Sequence, residues 1–311
     1  MERLDGSSAV PSRLAGGIVA LGNFDGFHLG HQAVVGRAVA RARAEGRPAL
    51  VATFDPHPVR LFKPDMPPFR LTTLDQRERL FAEAGADAMV VFQFDAALAS
   101  LTADAFVAER LIGALAVGGV VTGEDFTFGK GKAGTAAVLA AQGLQHGFSA
   151  ETVGPVALDG VPVSSSRIRD ALRGGDTATA ARLLTRPFAI EGVVRHGDKV
   201  GRTIGYPTAN IELGNYLRPA YGIYAVTARL DDGTLLKGAA NLGIRPTFDP
   251  PKELLEPYFF DFSGDLYGRS IEVALVEYLR PEAKFDNLEA LIAQMDIDCA
   301  KAKAVLSARN A

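Results

Sequence analysis

The sequence predicts two folds in one chain, an α/β half with a parallel sheet and then an all-β half closed by a single helix. Three observations carry this. Up to about residue 185, short apolar runs alternate with helix-length patterns, the signature of βαβ units. Beyond it, closely spaced segments alternate in polarity or carry β-branched residues between Gly, Pro and Asp turns, with little helix between them. The 311 residues are also about twice an ordinary domain's length.

Taken in order, GIVAL (17–21) reads as a buried strand, followed by a Gly-rich turn and a helix over 30–45. Strands are expected at 49–54, 88–94 and 118–122, with helices over 74–84 and 103–115 between them. Two more helices, 167–172 and 177–184, lead to a boundary that splits the chain into domains 1–185 and 186–311. In the second half, strands are expected near 189–195, 222–229, 235–242, 258–262 and 270–279, forming a small antiparallel barrel or sandwich. In the closing helix Leu288, Leu291, Ile292, Met295 and Cys299 share one face, so Cys299 is expected in the core rather than as a nucleophile.

Composition narrows the function. The chain is 48% hydrophobic and 22% charged with a net charge of -3, an ordinary globular balance without the basic surface that nucleic-acid binding needs. The longest uncharged stretch, 133–150, contains Gln142, Gln145 and His146 and does not suit a bilayer span. The N-terminus lacks an apolar signal region, and the single cysteine excludes an internal disulfide and a thiolate-rich metal site. A cytoplasmic protein with no membrane or nucleic-acid partner, a monomer or weak homo-oligomer, is expected.

Ligands of open parallel sheets bind beyond the carboxyl ends of the strands. There stands GNFDGFHLGH (22–31), a strand-to-helix turn. Its glycines permit close backbone approach, and the helix start offers N–H donors to an anion. His28 and His31, three apart, can face one phosphate, an arrangement suited to nucleotidyl transfer, in which donors meet charge as it develops on the α-phosphate. TFDPHP (53–58) and GEDFTFG (123–129) end two further strands. Ser164, Ser165 and Ser166 precede Arg167 and Arg169, hydroxyls that cap a helix and guanidiniums that either grip phosphate or form a solvated face. GKGKAG (129–134) spells GxGxxG but lies too far past its strand for a dinucleotide turn, and 123–130 fails as a P-loop.

GRTIGYPTAN (201–210) is the information-rich stretch of the second half. Gly201 and Gly205 allow close approach, and Pro207 stiffens the exit. Thr208 and Asn210 put two oxygen ligands on one side of an extended segment, which suits Mg²⁺ held with nucleotide phosphates, or else a barrel corner held by Asn hydrogen bonds. Glu256 is a carboxylate in an apolar run, either a general base or a strand-edge charge.

With both constellations in view, the chain resembles the bacterial bifunctional riboflavin kinase/FAD synthetase family over nearly its whole length. GNFDGFHLGH, TFDPHP, GEDFTFG, VSSSRIR (163–169), GRTIGYPTANI, YGIYAV (221–226), NLGIRPTF (241–248) and DFSGDLYG (261–268) carry the resemblance, in order. It implies a Rossmann-like nucleotidyltransferase domain of the HxGH type, then a six-stranded Greek-key riboflavin kinase barrel with a terminal helix. The implied chemistry is riboflavin and ATP giving FMN, then FMN and ATP giving FAD and pyrophosphate, both with Mg²⁺. By position, Gly22, Phe24, Asp25, His28, His31, Asp125 and the 164–169 turn would serve adenylylation. Gly201, Gly205, Pro207, Thr208 and Asn210 would hold Mg-ATP, and Glu256 would activate the ribityl 5′-hydroxyl. The sequence departs from the pattern in three places. Pro257–Tyr258 follow Glu256 where the family often has x-His, which predicts an edge or late-starting strand because Pro lacks a ladder donor. Ser166 replaces a common Thr, and Thr185 a usual Gly.

Overall fold

The computed structural model describes residues 1–196, 205–245 and 252–309, without the side chains of Arg245 and Lys252. The chain forms two compact units, Met1–Pro67 with Leu74–Ser164, and Pro68–Thr73 with Ser165–Ala311.

The first unit is an α/β sandwich. Its strands are β1 (Glu2–Asp5), β2 (Ile18–Leu21), β3 (Ala49–Asp55), β4 (Ala88–Gln93), β5 (Gly119–Gly123) and β6 (Ser149–Val153). All pair in parallel, in the order β1-β4-β3-β2-β5-β6. Along β2, Ile18 and Ala20 pack with the helix α1 (Leu29–Glu45), while Val19 and Leu21 pack into the core on the other face. A strand buried on both faces needs the unbroken apolar run that GIVAL supplies. The edge strands β1 and β6 are additions to the sequence reading. ERLD is only half buried and SAETV has no fully buried residue, so neither carries an apolar run. The expected helix over 103–115 is a short α-helix, Ala103–Phe106, continued by a π-helical stretch, Val107–Ala114.

The sheet order fixes where a ligand fits. From β2 the chain steps outward through β3 to β4, then returns to lay β5 on the other side of β2. The turns after β2 and β5 therefore flank the reversal, the crevice where open α/β sheets bind ligands.

The second unit holds two helices, Ser165–Arg173 and Thr177–Leu184, and a six-stranded antiparallel sheet. Its strands are β9 (Phe188–Val193), β10 (Ile211–Glu212), β11 (Gly222–Arg229), β12 (Leu235–Arg245), β13 (Lys252–Phe259) and β14 (Ser270–Arg280), the labels β7 and β8 belonging to the small hairpin Ala157–Leu158/Val161–Pro162 of the first unit. The order β10-β13-β12-β11-β14-β9 is a Greek key, with β14 returning beside β11. A bridge from Arg195 to Asn210, N–H to carbonyl 2.8 Å, joins the two outer strands and brings the sheet to a nearly closed barrel. Tyr224, Val226, Leu242, Leu255, Val273 and Leu275 fill its interior. The closing helix, Leu288–Ala308, lies outside against Ala225, Ala239 and Val276, small side chains that admit close packing. Asp298 on that helix, buried, pairs with Arg280 of β14 through bonds of 2.6–3.0 Å. Cys299 packs against the same core, and burial pushes its thiol up to about 11, as a structural cysteine requires.

Two sequence expectations change here. The strand expected over 258–262 runs instead from Lys252 to Phe259. Pro257 is neither at an edge nor at a late start, for β13 pairs with β12 on one side and β10 on the other. The Pro257 carbonyl accepts from Ala209 N–H at 2.9 Å, so its missing N–H faces that same side. The cost is one ladder bond there, and the pairing is reduced to Ile211–Glu212 plus a lone bridge from Thr208 to Tyr258. Thr185 caps the helix Thr177–Leu184 in the left-handed region, φ 65°, where glycine is at ease and a β-branched residue is not.

Candidate functional sites

In the first unit the turn 22–31 is folded by three successive departures from ordinary backbone: Phe24 (φ 49°), Gly26 (φ 88°) and Phe27 (φ 44°). Strained residues of this kind cluster where a loop is held for a purpose. Phe24 and Phe27 anchor it, their rings edge-on to Phe81 at 5.8 and 5.1 Å. The turn then delivers His28 as the N-cap of α1, with its Nδ1 accepting from the His31 N–H at 3.4 Å. An accepting Nδ1 leaves the proton of a neutral ring on Nε2. The His28 and His31 rings stack with centroids 3.6 Å apart and 18° between planes, and Phe24 stands edge-on to His31 at 5.3 Å. A Cβ at Gly30 would lie 3.2 Å from the His28 ring, and one at Gly22 3.0 Å from the Phe24 ring. The two glycines thus make room for these rings. Asp25 is buried beside them in sequence, at 4% exposure.

The neighbouring strand ends complete this end of the sheet. Asp125, exposed, follows β5, its carboxylate 3.0 Å from where a Cβ on Gly123 would stand. His57 caps the short helix α2 (Pro58–Phe62). The GKGKAG loop is closed by a two-way bridge between Phe128 and Gly134. Asn23 Oδ1 and Thr122 Oγ1, at the ends of β2 and β5, are buried without a hydrogen-bond partner among the described residues. Ser164 belongs to this unit. Ser165, Ser166, Arg167 and Arg169 belong to the other, on its first helix, where Arg169 donates to the Phe69 carbonyl at 2.9 Å and lies over the Phe69 ring.

Two features escaped the sequence reading. One is Phe62, 68% exposed, whose ring reaches Phe94 at the edge of a core aromatic cluster in which Phe54 meets Phe94 and Phe106, and Phe106 meets Phe128. The other is Arg77, whose polar contacts reach the turn after β2 at Asn23 and the end of β3 at Thr53 and Asp55.

In the barrel unit the site is set by strand register. Ile211 pairs with Leu255 and Thr208 with Tyr258, which puts Asn210 opposite Glu256, while Asn241 is the Glu256 partner on β12. Directly opposed residues share a face. Thr208, Asn210, Glu256 and Asn241 therefore line the outward face of the barrel, while Ala209, Leu255 and Leu242 point inward. Tyr206, two residues before Thr208, places its ring 5.1 Å from Tyr258 and donates its hydroxyl to Asp296 on the closing helix, which pushes the phenol upward. Gly205 is left-handed (φ 86°), Pro207 is exposed, and Gly201 lies outside the described residues. Thr208 and Asn210 are neutral hard-oxygen donors, a set that fits a magnesium ion drawing its remaining ligands from phosphate and water.

Comparison with known proteins agrees with this division. A family model for FAD synthetase matches residues 10–167, and one for riboflavin kinase matches 184–306. The chain is 40% identical over 283 residues to the bifunctional riboflavin kinase/FMN adenylyltransferase of Escherichia coli K12, covering 91% of this chain and 90% of that one. It is 38% identical to the protein of the same name from Bacillus subtilis, with 90% of each covered. A solved Streptococcus pneumoniae structure titled as a macrolide-efflux protein superposes with a TM-score of 0.84 at 32% identity, covering 96% of this chain and 97% of that one. No helix among the described residues is long and apolar enough to cross a membrane. On these matches and on its two-unit architecture, the chain belongs to the bifunctional riboflavin kinase/FMN adenylyltransferase family.

Proposed function

We propose that the chain phosphorylates riboflavin to FMN with ATP and then adenylylates FMN to FAD, the second step in residues 1–185 and the first in 186–311. The observation that carries the reading is the pairing of two phosphate-facing constellations in one chain: stacked imidazoles at a helix start beside the sheet reversal, and Thr208, Asn210 and Glu256 on one barrel face.

In adenylyl transfer an FMN phosphate oxygen attacks the ATP α-phosphorus and pyrophosphate leaves. Gly22 and Gly30 make room for the Phe24 and His28 rings, the α1 amides meet the phosphate charge, and His28 Nε2–H and His31 donate as charge rises on the α-phosphate. Phe24 and Asp25 hold the turn, and Asp125 and Ser164 belong to the set expected from the family pattern. Of the phenylalanines at these strand ends, the exposed Phe62 offers a face on which a flat tricyclic ring can stack. In the kinase reaction Glu256 takes the ribityl 5′-hydroxyl proton while that oxygen attacks the γ-phosphorus and ADP leaves. Thr208 and Asn210 would hold magnesium, which neutralises phosphate charge when bound.

Purified protein incubated with riboflavin and Mg-ATP, with flavins separated over time, should yield FMN before FAD; FMN supplied directly should yield FAD. Absence of both products overturns the proposal, and absence of one confines the chain to the other activity.

A further inference from the structure

The helix α3 (Leu74–Glu83) touches the turn that carries His28 and His31 at two points one helical turn apart. Phe81, fully buried, packs against Phe24 and Phe27. Arg77, four residues earlier on the same face and 3% exposed, donates through one terminal nitrogen to the Thr53 hydroxyl (2.9 Å) and the Asn23 carbonyl (3.2 Å). The other terminal nitrogen reaches Asp55 Oδ1 at 3.4 Å. Thr53 in turn donates to the same Asn23 carbonyl at 2.8 Å. One guanidinium thus ties the second residue of the β2 turn to the end of β3. A buried charge is a poor device for stability, because an apolar residue of similar volume avoids its desolvation. A planar fork with several fixed donors, by contrast, holds several acceptors in one geometry.

We propose that Arg77 is a positioning residue for adenylyl transfer: with Thr53 it pins the Asn23 carbonyl, and so sets where the turn presents His28 and His31. The inference rests on the functional reading above. Misplacement of reacting groups by about 1 Å costs on the order of 10²-fold. In the full chain, Arg77→Met should lower the kcat of FMN adenylylation by roughly 10- to 100-fold while changing the KM for ATP less than about threefold. Arg77→Lys, which keeps the charge without the fork, should recover part of the loss. Riboflavin phosphorylation by the same samples should be unchanged. Thr53→Val should lower the same kcat, and the double variant should be no worse than the more severe single one, as for groups acting through one contact. The inference is overturned if Arg77→Met retains adenylylation within about threefold, if its loss follows the unfolded fraction measured by circular dichroism at the assay temperature, or if the Thr53 and Arg77 effects multiply. A His28→Ala/His31→Ala control separates the two levels: if that variant still makes FAD, the functional reading fails, and if it is dead while Arg77→Met is active, only the positioning role fails.

Discussion

The two candidate sites are built in opposite ways. The site of the α/β unit is local: one ten-residue turn and the first turn of α1 bring two imidazoles to 3.6 Å, at the cost of left-handed backbone at Phe24 and Phe27. The barrel site is assembled from segments remote in sequence, Thr208 and Asn210 meeting Glu256 and Asn241 only because β13 pairs with β10 on one side and β12 on the other. Backbone strain sets the aim of the first site, and register sets that of the second. A one-residue slip in a strand would turn its residues to the other face.

The sharpest way to break the comparison is to remove the chemistry of each half. His28→Ala with His31→Ala should lower FMN adenylylation by on the order of 10³-fold and spare riboflavin phosphorylation. Glu256→Gln should lower phosphorylation by about 10²- to 10⁴-fold and leave FMN-to-FAD conversion running. Flavin product analysis with riboflavin or FMN as the starting material checks both; crossed losses would dissolve the assignment of chemistry to halves.

Next in size is the support of the barrel's register. Asp298→Ala leaves Arg280 without its buried carboxylate and should destabilise the barrel unit by about 3–5 kcal/mol, read by urea unfolding, with the kinase activity lost at lower denaturant than the adenylyltransferase activity. Simultaneous loss would show that the halves do not unfold separately.

A pH series sharpens the same contrast. Arg218 and a hydrogen bond from Tyr221 hold Glu253 below the usual Glu range, so this stabilisation is present at neutral pH and is lost as pH falls through the lowered value. Burial and the Glu253 bond push the Tyr221 phenol up to about 12, so its contribution is complete below pH 10 and is lost as pH rises toward 12. Melting temperature against pH should therefore fall at both extremes for the wild type, and Tyr221→Phe should flatten the alkaline fall.

The smallest effect is at Thr185. Thr185→Gly relieves a left-handed β-branched residue and should raise stability by about 0.5–1 kcal/mol, seen as a modest rise in melting temperature. A drop instead would mean that the Thr185 hydroxyl, bonded to the Leu184 carbonyl at 2.6 Å, outweighs the strain.

How much of this was legible in the sequence follows the same division. GIVAL, ALVATF and the GNFDGFHLGH turn announce buried parallel strands and a helix start at their carboxyl ends, because burial on both faces and a helix terminus each leave a contiguous mark. The edge strands β1 and β6 left none, being half solvated. Pro257 misled for a definable reason: its missing donor matters only on the side to which its N points, and a sequence does not show which side that is.

The amino-acid order alone thus determined two unlike folds, the strand-to-helix turn after β2, and the candidate oxygen ligands of the second half, since periodicity, glycine and capping act over a few residues. Tertiary structure decided which strands lie beside which, that Asn210, Glu256 and Asn241 share one face, and that Arg77 on α3 reaches the turn of His28. Those facts rest on pairings and burial between distant segments, whose free energy exists only once the chain has closed on itself.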